Sequence, residues 1–329
     1  VRARGPGVRI WTAPTAVALS VVVTVGVPAA VRAHGTAPGA PEISTLWTGW
    51  SFDVEVWLPV FVAGWLYLRA VRTIDRAHPA NPVPRRRTLA WFAGLAMLIV
   101  ALQSPIDRYD TTLFSVHMVQ HLLLTLVVPP LLLLGAPVTQ TMRAAPAGAR
   151  RRVLLPVLHS RLLLLLASPL MAWILFGAFG YVAHFSPLFD AALDDPLLHY
   201  LEHAVFLVSG LLFWWPVVAL DPTPRRLSPV TRVGYLALGM PWSSFLGLAI
   251  FSASSVLYPH YASVERPWGI SPLEDQALAG GLMWAVGDLV FIVGMVLAVR
   301  VWLHAEEAEG RRIDHQLALR ARPHVQPDP

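Results

Sequence analysis

Two stretches of the chain repeat one pattern, His117-Met-Val-Gln-His121 and His199-Tyr-Leu-Glu-His203. On a helix this spacing puts both imidazoles on one face, a single turn apart. Neutral imidazole ligates transition metals and haem iron. Two such pairs on adjacent helices would therefore offer four nitrogen donors to one site. Glu202, beside His203, is a candidate ligand or a partner that orients an imidazole. Met118, beside His117, and Met283 add thioethers, which favour Cu(I). Met118 points about 100° away from His117 around a helix, a direction that also suits a core residue. His184 and His260 complete the set, with His34 if it becomes an N-terminal residue able to offer an amine and an imidazole together. Packing offers a simpler use for such histidines, because polar groups also link helices within bilayers. Spacing alone leaves copper, zinc and a b-type haem open.

The elements that must position these residues are membrane helices. The 329 residues are 55% hydrophobic and only 14% charged, whereas soluble domains carry about 25% charged residues. The net charge of +5 does not point to nucleic acid, because the arginines cluster in short loops between apolar runs. All basic residues are arginine, and there is no cysteine. Thiolate metal sites, iron–sulfur clusters, disulfides and thiol redox chemistry are thereby excluded.

Residues 1–33 read as a signal peptide or signal anchor. Arg2, Arg4 and Arg9 precede an apolar stretch, and Val31-Arg32-Ala33 fits signal-peptidase cleavage. Cleavage there would expose His34 at the start of an extracytoplasmic segment, 34–51. Seven apolar runs follow, at about 52–70, 88–104, 113–135, 162–184, 197–220, 230–256 and 277–302, against the roughly 20 residues that a span needs. The expected fold is all-α, a polytopic bundle of about seven transmembrane helices over 52–303 with a cytoplasmic tail, 304–329. Arg72, Arg76 and Arg85–Arg87 follow the first run, Arg143, Arg150–Arg152 and Arg161 the third, Arg225 and Arg226 the fifth, and Arg311 and Arg312 the last. The alternate loops hold acids such as Asp107, Asp110, Asp190, Asp194 and Asp195. By the positive-inside rule the Arg-rich loops and the tail face the cytoplasm. Seven histidines then gather outside or in the outer half of the spans: His34, His117, His121, His184, His199, His203 and His260. The other five do not pair. Pro129-Pro130, Pro169 and Pro241 are expected to kink their spans and leave carbonyls for neighbours to satisfy. Asp288, near the middle of the last run, is expensive there and reads as a relay or as a neutral acid bonded between helices.

Several of these segments together resemble the multi-span CtaG family of cytochrome c oxidase assembly proteins. The carriers are Ser115-Val-His-Met-Val-Gln-His-Leu-Leu-Leu124, Pro129-Pro-Leu-Leu-Leu-Leu-Gly-Ala-Pro137 and His199-Tyr-Leu-Glu-His203 running into Phe213-Trp-Trp-Pro216. Trp268-Gly-Ile-Ser-Pro-Leu, Asp275-Gln276 and Met283-Trp284 extend the likeness over roughly residues 45–303. It implies seven spans in a bacterial plasma membrane and a non-enzymatic role in making active haem–copper oxidase. Its implied partners are an oxidase subunit, the lipid bilayer and a copper donor protein. A single-span copper chaperone that shares the family name works through cysteines, which this chain lacks. The expected function is copper handling through the outer histidines. The alternatives are a haem-binding membrane protein, a metal-free scaffold for oxidase assembly, and a copper transporter. Some relatives carry an additional copper-resistance-type membrane domain; no counterpart is read in these residues, and direct copper import is not expected of them.

Overall fold

The computed structural model describes residues 38–320, so the leader, its cleavage site, His34 and His324 lie outside the described residues. Within them the chain is a bundle of helices without strands. The long elements are α1 (Val54–Ala77), α2 (Arg85–Gln103), α3 (Phe114–Leu122), α4 (Val128–Leu134), α5 (Pro137–Ala144), α6 (Pro169–His184), α7 (Leu188–Asp194), α8 (Pro196–Val218), α9 (Pro229–Phe251) and α10 (Pro272–Arg320). Six stretches are long and apolar enough to cross a membrane, or seven if the bent pair α6–α7 counts as one.

The fourth apolar run departs from expectation. It is a short helix, Arg161–Leu166, followed by α6, which turns by 69° into α7. Pro169 does not kink a continuous span. It opens α6 at the first helical turn, where its missing N–H costs nothing. Pro241 does lie inside α9, as expected. Pro129 sits near the start of α4, just after a π-helical segment, Leu123–Val127, that joins α3 to α4. A residue with an N–H at position 129 would bond the carbonyl of Thr125; proline leaves that oxygen free. The Trp214 indole of α8 donates to it instead, at 3.2 Å. Thr125 Oγ1 in turn donates to the carbonyl of His121. Gly210 of α8 makes this approach possible, since a Cβ there would lie 2.6 Å from the Thr125 carbonyl oxygen.

The two helices that carry the histidine pairs both begin on a carboxylate. Asp195 Oδ1 accepts from Leu197 N at 2.8 Å and Leu198 N at 3.2 Å, a local cap for α8. No side chain of its own N-cap serves α3. Asp275, at the start of α10, takes that place, accepting from Phe114 N at 2.7 Å and Ser115 Oγ at 2.5 Å. The neighbouring Gln276 bonds Leu257 N and the Ser255 carbonyl. Both side chains are buried, so this end of α10 fastens α3 and the 252–258 loop from within.

Four apolar clusters hold the described bundle, the smallest of them Ala167, Ala172 and Leu212. Tyr67 and Trp91 stack at 4.9 Å against Leu124, Val128 and Leu132 on one flank. Phe213, Trp214, Leu236 and Phe291 fill one end of the bundle. Phe114, Phe189, Tyr258, Tyr261 and Met283 form a cluster around Met118. The histidines lie between this last group and the Tyr67 flank.

Candidate metal centre

The i, i+4 spacing does what helix geometry requires within each pair. The His117 and His121 Nε2 atoms stand 2.8 Å apart, and the His199 and His203 rings are 4.2 Å apart. Packing of α8 against the π-helical segment and α4, which continue α3, then brings the pairs together. His117 is 5.2 Å from His199 and 6.1 Å from His203 between ring centroids, and His121 is 5.9 Å from His203. Glu202 Oε2 lies 3.9 Å from His117 Nε2 and 4.0 Å from His121 Nε2. The donors form three overlapping triads: His117–His121–His203, Asp110–His199–His203 and His117–His199–Glu202. Within each triad the ligand atoms lie within 4.8 Å of one another.

Hydrogen bonds from outside the cluster fix part of its protonation. The Tyr261 hydroxyl donates to the Asp110 carbonyl at 2.7 Å and sits 3.0 Å from His117 Nδ1. Burial, reinforced by the Asp110 carboxylate, holds the Tyr261 phenol well above its ordinary range, so the proton stays on oxygen. Since that proton is used on the carbonyl, His117 Nδ1–H must donate to the hydroxyl oxygen. His117 Nε2 therefore presents a lone pair to the cluster. Asp110 Oδ2 approaches His199 Nε2 at 3.8 Å. Its carboxyl is held well above the usual carboxylate range, by burial first and then by Asp107.

Several buried donor atoms find no hydrogen-bond partner among the described residues. These are His121 Nδ1, His199 Nε2, both ring nitrogens of His203, and Glu202 Oε2. Phe189 and Phe206 wall them in, the latter 4.1 Å from the His121 ring.

The other sequence candidates divide. His184, at the end of α6, joins the group 5.9 Å from His121, with its Nε2 3.3 Å from Met118 Sδ. Met118 thus faces the site from a direction that helix geometry assigned equally to core. Met283 lines a cavity of about 60 Å³ together with Met118, His121 and His184. His260 stays at the rim with both ring nitrogens engaged, by the Thr111 carbonyl at 2.9 Å and Asp194 at 3.1 Å. It ties the turn Pro259–Ser263 to α7 and does not aim a free nitrogen at the cluster. Asp288 accepts from Ser244 Oγ at 2.8 Å and 2.9 Å, a bond between α9 and α10. Sequence reasoning missed Asp110, Tyr261 and Asp275 as parts of the site. Asp110 alone lay near a paired histidine in the sequence, in the turn before α3; Tyr261 follows His260 and Asp275 opens α10, far along the chain from either pair.

A family model described as cytochrome c oxidase caa3 assembly factor matches residues 65–305, which contain the whole cluster. The chain belongs to this family. Uncharacterized proteins of Mycobacterium bovis and Mycobacterium tuberculosis are each 35% identical over 285 residues, covering 84% of this chain and 43% of theirs. One of Mycobacterium leprae is 32% identical over 295 residues, covering 88% and 43%. The chain spans less than half the length of these curated relatives. No solved structure matches it.

Proposed function

We propose that this member of the caa3 assembly-factor family serves the assembly of a haem–copper oxidase by holding copper as cargo in the α3–α8 histidine cluster. The observation that carries this reading is the convergence of buried, unpartnered donor atoms on His121, His199, His203 and Glu202. Each buried polar atom left without a partner costs about 1–3 kcal/mol. A cation that accepts their lone pairs removes that cost at several atoms together. With no cysteine in the chain, imidazole, carboxylate and thioether are the side-chain donors suited to a copper ion.

Haem fits less well. Cofactor-sized ligands occupy pockets of roughly 300 Å³ or more, whereas the cavity beside the cluster measures about 60 Å³. A transport path would need polar groups through the whole bundle, and the far end is filled by Phe213, Trp214, Leu236 and Phe291. The positive-inside rule, applied to the Arg-rich loops, supports a cytoplasmic end of α10 and an extracytoplasmic cluster. There the cargo would pass from a copper donor protein to an oxidase subunit.

The test pairs wild type with His117→Ala/His121→Ala, measuring copper content and optical spectrum of the purified proteins and oxidase activity in cells at matched protein levels. Copper bound by wild type and lost with oxidase activity in the variant is the expected result. Normal oxidase activity with the variant present in the membrane overturns the ligand role and leaves a scaffold. A Soret band lost in the variant moves the assignment to haem.

A further inference from the structure

We infer that Met118 and His184 form a second, softer subsite beside the imidazole cluster, suited to a monovalent soft cation of the Cu(I) class. This rests on the cargo role proposed above and divides that site in two. His184 Nδ1 is 2.8 Å from the Gly180 carbonyl, an acceptor only, so Nδ1 carries the proton. The neutral ring then presents a bare lone pair at Nε2. That lone pair meets Met118 Sδ at 3.3 Å, and a thioether has no proton to give. Two acceptors thus face each other in a buried position, Met118 fully enclosed and His184 nearly so. A cation that takes both as ligands turns an unfavourable contact into a favourable one.

The surroundings set the kind of cation. The adjoining cavity of about 60 Å³ is lined by Met118, Met283, His121 and His184 with mostly apolar neighbours and the neutral side chains of Thr125, Tyr181 and Ser243, and no carboxylate lines it. Enclosing charge among neutral donors is costly and rises steeply with the charge of the ion, so a divalent ion is disfavoured there. Thioether and imidazole together select Cu(I) or its analogue Ag(I) over zinc. Two of the three triads differ, because Asp110 supplies a carboxylate to one and Glu202 to the other; the third, His117–His121–His203, is all imidazole. His121 belongs to one triad and also lines the cavity. It is the residue through which an ion can pass between the two subsites.

The full chain in detergent is titrated anaerobically with Cu(I), and separately with Zn(II), as wild type and as Met118→Leu. Leucine keeps nearly the same volume in the core and removes the sulfur. X-ray absorption then reads the donor atoms of the bound copper. Wild type should take up a second equivalent of Cu(I) with sulfur in its coordination shell. Met118→Leu should lose that equivalent and the sulfur while keeping nitrogen and oxygen ligation and unchanged zinc uptake. A single equivalent in wild type with only nitrogen and oxygen donors overturns the subsite and leaves the imidazole cluster standing. Sulfur ligation that persists in Met118→Leu overturns the assignment to Met118. Copper uptake indifferent to His117→Ala/His121→Ala, with no sulfur shell, rejects both the subsite and the cargo reading. The wild-type sulfur shell is a test in itself should Met118→Leu fold poorly.

Discussion

Replacing Tyr261 by phenylalanine removes one oxygen atom from the bundle and leaves the ring in place. The ring packs 5.3 Å from Phe114 and is nearly enclosed, so the core around it should survive. Two hydrogen bonds go with the hydroxyl, one from His117 Nδ1 at 3.0 Å and one to the Asp110 carbonyl at 2.7 Å. At about 0.5–1.5 kcal/mol net for each bond, the fold should lose roughly 1–3 kcal/mol. The larger consequence falls on His117, whose Nδ1–H is then free to leave and whose ring is free to turn. Removing a partner that orients a ligating histidine weakens metal affinity by about 10–100-fold. That corresponds to about 1.4–2.8 kcal/mol, at 1.4 kcal/mol per tenfold. Anaerobic competition with a chromogenic Cu(I) chelator measures the Kd, and unfolding of the metal-free protein in detergent measures the stability term separately. Tyr258→Phe is the control, since among the described residues that hydroxyl reaches only the His184 carbonyl, at 3.4 Å. A Kd for Tyr261→Phe within twofold of wild type refutes the argument that this hydroxyl fixes the His117 tautomer.

Asp275→Ala should cost about 2 kcal/mol or more, since α3 loses its N-terminal acceptor and Phe114 N and Ser115 Oγ are left buried. Asp275→Asn, which keeps one acceptor oxygen, should restore part of it; denaturant unfolding of both variants decides, and equal losses would contradict the cap. Asp221, in the loop after α8, accepts from Thr139 N at 2.6 Å and Val138 N at 3.2 Å, yet burial raises its pKa above the ordinary 3.8. Between pH 3.8 and the raised pKa folded chains then bind more protons than unfolded ones, so this group's stabilising contribution is present below that window and is lost as pH rises through the raised pKa. Asp221→Asn should flatten that slope in unfolding temperature against pH, and an unchanged slope would rule out Asp221 as its source.

Composition and local spacing determined a good deal by themselves. Apolar runs separated by Arg-rich and acidic loops sufficed for a multi-helix membrane bundle, because a backbone crossing hydrocarbon must bond itself internally. The four-residue spacing was enough to pair His117 with His121 and His199 with His203, since helical neighbours are set by a rotation of about 100° per residue. Pro169 was misread for a related reason: hydropathy runs straight through it, and only the observed α6 start distinguishes a first-turn proline from an interior one. What tertiary structure decided is which faces meet. The approach of α8 to the π-helical segment that follows α3, through Gly210, with Trp214 bonding the carbonyl that Pro129 frees, turns two pairs into one cluster. Met118 acquires His184 as a neighbour only because α6 ends beside α3. Tyr261 and Asp275 reach α3 from 144 and 160 residues away along the chain. No periodicity records such contacts, because a hydrogen bond between distant residues depends on how whole helices pack and not on the spacing within any one of them.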